Sequence, residues 1–132
     1  MSSAIHLDTN FLIYYVGGGD DEVIRRVEEW LLEGRAIHVS AMAWAEFQCG
    51  PLLPEENAAA AELLHSVLPV TVELAMEAGR LFQETGRRSR SLADCLIAAT
   101  AIRDHAALAT VNRPDFELFA PHGLELATPI EP

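Results

Sequence analysis

The chain has 132 residues, with 20 acidic side chains against nine basic ones and a formal charge of −11. That length suits a single domain spanning residues 1–132, and the 50% apolar content is enough to bury a core, which excludes a disordered chain. Every basic residue is Arg, and so acidic a chain is not one that coats nucleic acid by broad phosphate neutralisation.

Met1–Asp8 has no basic region and no long apolar stretch, so no signal peptide is expected, and no apolar run approaches the length of a membrane span. Ala4–Leu7 reads as a buried strand ending at Asp8. Asn10–Val16 reads as a short helix stopped by Gly17-Gly18-Gly19. Asp20-Asp21-Glu22 then places negative charge at a helix N-terminus, and Val23, Ile24, Val27, Trp30 and Leu31 follow at helical spacing as far as Gly34. Ala36–Val39 is a second strand, and Ser40 can cap a helix over Ala41–Cys49 that Gly50-Pro51 ends. Pro54 opens a helix through about Ser66, Pro69–Val72 is a candidate strand, and Glu73–Thr85 is helical. Ser91 caps an apolar helix from Leu92 to about His105; Ala107–Val111 is a strand, and Gly123–Thr128 is a candidate edge strand. Alternating strands and helices predict an α/β fold with a mostly parallel sheet, which binds ligands at the carboxyl ends of its strands. Cys49 and Cys95 lie far apart within apolar sequence, so both are expected as reduced core residues.

The most informative feature is where charge is missing. From residue 2 to residue 19 the sole formally charged side chain is Asp8; between Arg35 and Glu55 it is Glu46; between Arg90 and Arg103 it is Asp94. Each has a local explanation. Asp8 can cap the following helix, Glu46 can mark the wet edge of its helix, and Ser91-Leu92-Ala93-Asp94 resembles a capping box. A shared explanation is a divalent cation, which turns mutually repelling carboxylates into paired ones; hard cations such as Mg²⁺ take oxygen ligands. The five His residues are scattered, and His6, alternating with Ile5 and Leu7, reads as a satisfied polar position in a strand.

Four segments, taken in order, resemble a known family: the strand leading into Asp8-Thr9-Asn10; Glu46 within Ala43-Trp44-Ala45-Glu46-Phe47; Ser91 to Ala99 around Asp94; and Leu108 to Phe116. Together they resemble the PIN-domain nucleases, most nearly the VapC-type toxins of bacterial toxin–antitoxin pairs. The resemblance implies a three-layer α/β/α fold around a central mostly parallel sheet, with an acidic pocket at the strand ends. It implies that Asp8, Glu46 and Asp94 bind metal and serve catalysis, with Asp115 as the fourth acid. Some members have Asp where Asn112 stands and others have Asn there with an acid three residues later, as Asp115 is here; Asn112 is then a neighbour in the site, and turn chemistry beside Pro114 is the plain alternative for both residues. Asn10 and Thr110 would orient the site. Arg87, Arg88, Arg90 and Arg113 are candidate RNA contacts, since Arg holds phosphate bidentately and stacks on bases. The implied activity is Mg²⁺- or Mn²⁺-dependent hydrolysis of RNA phosphodiesters by a cytoplasmic toxin that forms homodimers and is held by a cognate antitoxin. Trp30 to Trp44 and Pro51 to Leu64 are the candidate docking surface for that partner. Two other readings compete. One is a catalytically silent PIN-like module. The other is a haloacid-dehalogenase-type phosphatase, which wants a second Asp where Asn10 stands and a Lys that this chain lacks.

Overall fold

The computed structural model describes residues 4–85 and 92–127. Its sheet contains β1 (Ile5–Leu7), β2 (Ile37–Ser40), β3 (Ser66–Leu68), β4 (Ala107–Ala109) and β5 (Glu125–Leu126), in the order β3-β2-β1-β4-β5. Every strand pairing is parallel, and β1 is central, with Ile5 opposite both Ile37 and Ala107. Helices cover both faces, giving the three-layer α/β/α architecture.

Four of the helices start where a side chain accepts from free N–H groups. Asp8 caps α1 (Thr9–Gly17), which ends where Gly18 turns left-handed at φ 68°. Asp20 accepts from Glu22 and Val23 to open α2 (Asp21–Leu32), whose buried residues Val23, Val27 and Trp30 form one helical stripe. Ser40 accepts from the Ala43 amide to start α3 (Ala41–Cys49) directly off the end of β2. Pro54 opens α4 (Pro54–Leu63), and Thr71 caps α5 (Val72–Glu84). The remaining helices are α6 (Leu92–Arg103) and α7 (Arg113–Glu117), followed by a 3₁₀ turn at Ala120–His122. Ser91, expected to cap α6, lies outside the described residues.

Two apolar clusters hold the layers. Ile5, Leu7, Ile37 and Ala109 pack with Phe11, Val27, Trp30 and Phe47, while Leu108 packs with Leu81, Cys95, Ala98, Phe116 and Phe119 from α5, α6, α7 and the segment just after it. Each fully buried Leu, Ile or Phe adds about 1.5–3 kcal/mol. α3 touches both α1 and α6 and so closes one end of the molecule.

Three expectations are corrected. α4 stops at Leu63, and Ser66–Leu68 forms the third strand in place of Pro69–Val72. The His65 amide donates to the Ile37 carbonyl at 2.8 Å and begins the pairing with β2, whereas Pro69 has no N–H to give a ladder. Cys49 is exposed rather than core, and only Cys95 is buried. Cys49 stands two positions beyond the buried Phe47, about 200° round the helix, on its outer side. Trp30 is buried at 2% exposure with Arg26 over its ring, so it is no part of a surface for docking. Among the described residues, no helix is long and apolar enough to cross a membrane.

Candidate active site

The strand order reverses between β1 and β4, which makes their carboxyl ends the switch point where open parallel sheets leave a crevice. Asp8 follows β1 there, and Thr110 follows β4, held close because the Asp8 amide donates to the Ala109 carbonyl at 3.1 Å. The crevice is a cavity of about 340 Å³ bordered by Asp8, Asn10, Glu46, Asp94, Asn112 and Asp115. Four acids from four separate segments of the chain thus meet at one place. Asp94 enters from the first turn of α6, Glu46 from the middle of α3, and Asp115 from the first turn of α7. The region of Asn112 and Asp115, open to a turn reading in the sequence, is the start of this short helix, and both residues border the cavity.

Asp8 is the buried member, at 4% exposure. Its Oδ1 accepts from the Phe11 amide at 2.9 Å, and the Thr110 hydroxyl also donates to it. Thr110 Oγ1 accepts in turn from the Asn112 amide at 2.9 Å, so one hydroxyl links the ends of both central strands. Burial lifts the Asp8 carboxyl from 3.8 to about 6; the two hydrogen bonds oppose that rise, and the charges of Glu46 and Asp115 add to it. A carboxylate in this position favours a nearby cation. The donors around the cavity are all oxygen atoms, which suits a hard ion such as Mg²⁺ or Mn²⁺ and not a soft one.

Thr9 is a site residue that the sequence reading missed. Its Oγ1 donates to Glu46 Oε1 at 2.6 Å and fixes that side chain across 37 residues of sequence. The signal was a hydroxyl residue directly after Asp8, but its partner is set by packing of α1 on α3. Arg113, a candidate RNA contact, is engaged elsewhere: Nη1 donates to the Ala127 carbonyl at 2.8 Å, and Nε faces Glu117 at 3.8 Å. Arg87, Arg88 and Arg90 lie outside the described residues. A second polar cluster lies within the fold. His6, His38 and Asp104 bring metal-ligating atoms within 4.8 Å of one another, closer than any three such atoms in the acidic pocket among the described residues.

The PIN domain family matches residues 5–119. No curated protein sequence matches the chain. Among solved structures, it is similar to VapBC2 from Rickettsia felis, solved bound to a DNA fragment from its promoter, with 23% identity, a TM-score of 0.75 and coverage of 94% of this chain and 97% of that one. A toxin–antitoxin complex from Klebsiella pneumoniae is 26% identical with a TM-score of 0.69, covering 86% of this chain and 90% of that one. VapC20 from Mycobacterium tuberculosis, described as a sarcin–ricin loop cleaving toxin, is 20% identical with a TM-score of 0.65, covering 95% of this chain and all of that one.

Proposed function

Because this chain belongs to the PIN domain family, we propose that it is a divalent-metal-dependent endoribonuclease and the toxin of a toxin–antitoxin pair. The observation that carries this reading is the convergence of Asp8, Glu46, Asp94 and Asp115 on one cavity at the switch point of the sheet, with Asp8 buried. In this proposal those four acids hold one or more Mg²⁺ or Mn²⁺ ions. Such an ion supplies a water of lowered pKa and offsets charge on the phosphate.

The chain's own residues do the positioning. Asp8 is kept in place by the Phe11 amide and the Thr110 hydroxyl. Thr9 restrains Glu46. Asn10 and Asn112, both exposed at the cavity, present polar groups to the substrate. The cavity is open and lined by acids, so its substrate is a flexible single-stranded or looped RNA whose phosphate reaches in, rather than a ligand enclosed by apolar walls. Arg87, Arg88 and Arg90 precede the Asp94 helix in sequence and supply the phosphate contacts that the acidic remainder cannot. The toxin–antitoxin complexes among its structural relatives support a protein antitoxin as partner, and the proposed setting is the cytoplasm, with the toxin as a homodimer.

The test is cleavage of a mixed RNA pool with Mg²⁺, with Mn²⁺ and with EDTA. Asp94→Asn should abolish cleavage while the circular dichroism spectrum stays native. Full activity in EDTA refutes the mechanism. Metal-dependent RNA binding by the unaltered protein without any cleavage would instead identify a silent binding module.

A further inference from the structure

Two residues before Asp8, His6 points to the face of the sheet covered by α6. His6 Nε2 lies 2.8 Å from Asp104 Oδ2, and His38 Nδ1, on the neighbouring strand, lies 2.9 Å from the same oxygen. The register pairs His6 with His38, so the two rings stand side by side, edge to face, with centroids 5.6 Å apart. Two imidazoles thus converge on one carboxylate oxygen just past the C-terminal end of α6. His6 is fully buried, while the side chains of His38 and Asp104 are 18% and 30% exposed. A cavity of about 200 Å³ bordered by Thr100, Arg103 and Asp104 gives solvent a route to the carboxylate.

We propose that His6, His38 and Asp104 form a second metal site, separate from the acidic pocket and selective for a borderline transition metal such as Zn²⁺. Two imidazole nitrogens and one carboxylate oxygen suit Zn²⁺ and do not suit Mg²⁺. With metal–donor distances near 2.1 Å, tetrahedral donors stand about 3.4 Å apart. The two nitrogens here are 2.8 and 2.9 Å from the oxygen, and all three atoms lie within 4.8 Å. Admitting the ion requires the donors to shift from these hydrogen-bond distances to that spacing, and Asp104, past a helix end and 30% exposed, is the freest of the three to move. His6 Nδ1 is buried without a hydrogen-bond partner, so no second contact locks the ring into the tautomer that donates from Nε2. Moving that proton to Nδ1 frees Nε2 as a ligand without breaking a hydrogen bond there.

The position gives the site its consequence. β1 leads to Asp8, β2 leads through Ser40 into the Glu46 helix, and α6 carries Asp94 about 15 Å along its axis from Asp104. Three of the four elements that carry the acids are therefore joined at this cluster. An ion here ties them together from behind the acidic pocket.

The experiment titrates the full chain with Zn²⁺ in a buffer containing excess Mg²⁺, read by equilibrium dialysis with elemental analysis and by thermal melting. We expect one zinc per chain and a zinc-dependent rise in Tm, both retained in the Asp94→Asn/Asp115→Asn variant. His38→Gln, which keeps a polar side chain facing Asp104, and Asp104→Asn should each weaken zinc binding at least tenfold and remove the rise. A readout without variants is the NMR signals of the His6 and His38 rings, which zinc should shift in the unaltered protein. Failure of the wild-type chain to bind zinc, unshifted ring signals, or zinc binding lost with the Asp94 and Asp115 carboxylates overturns the proposal. The second of these leaves a hydrogen-bonded clamp, and the third places zinc in the acidic pocket.

Discussion

Replacing Asp8 by Asn should make the metal-free protein more stable, although it destroys the proposed catalytic centre. Below pH 3.8 the carboxyl is protonated in both folded and unfolded chains, and the substitution changes little. Between 3.8 and about 6 the unfolded chain ionises Asp8 while the folded chain holds the proton, so stability falls as pH rises. Above about 6 both states are ionised and the penalty is complete. Each tenfold displacement of an ionisation equilibrium is worth about 1.4 kcal/mol, so a rise from 3.8 to about 6 amounts to about 3 kcal/mol. An amide keeps the cap on the Phe11 N–H but accepts less strongly, which removes about 1 kcal/mol of that gain. The net is about 2 kcal/mol, or about 8 °C in Tm for a domain of this size. The assay is urea and thermal unfolding of both proteins in EDTA from pH 3.5 to 8, repeated with Mg²⁺. The advantage of Asp8→Asn should grow between pH 4 and 6, hold level above that, and shrink when Mg²⁺ stabilises the wild type alone. An Asp8→Asn protein less stable than wild type at pH 7.5 in EDTA, or an advantage that persists at pH 3.5, would refute the reasoning.

Thr9→Val keeps the shape of the side chain but removes the hydroxyl that holds Glu46; metal affinity measured by calorimetry should weaken about 10–100-fold while the fold is retained. Ser40→Ala removes the N-cap of the Glu46 helix and should lower unfolding free energy by about 1 kcal/mol, with metal affinity reduced alongside it. Phe119→Ala, in the cluster under α6 and α7, should cost about 3–5 kcal/mol in urea unfolding.

The sequence is legible wherever local chemistry and local structure agree. Asp20 and Ser40 are side-chain acceptors at the starts of helices, and Gly18 supplies the left-handed turn that ends α1. The three solitary acids stand out because charge is absent around them, and they do border one cavity. The third strand was misread because its three residues have no pattern of their own; β2 alone defines them as a strand. α7 escaped notice because it is a single short turn of helix begun by Asn112 without a side-chain cap. The Thr9–Glu46 bond and the His6–Asp104–His38 cluster depend on register and on helix docking, which no local pattern encodes.

The central position of β1 has a consequence for how the protein is made. Among the described strands β1 is made before the other four, yet one of its two partners is β4, with Ile5 opposite Ala107. One of the four acids, Asp115, lies beyond that partner, together with Thr110 and Asn112. A nascent chain therefore exposes an unpaired edge of β1 until β4 has been translated, which favours slow, late closure of the sheet. For the ribonuclease toxin proposed above, this order of assembly is protective. A chain cut short before Asp115 lacks one of the four acids of the pocket, and the proposed antitoxin has the length of translation in which to arrive.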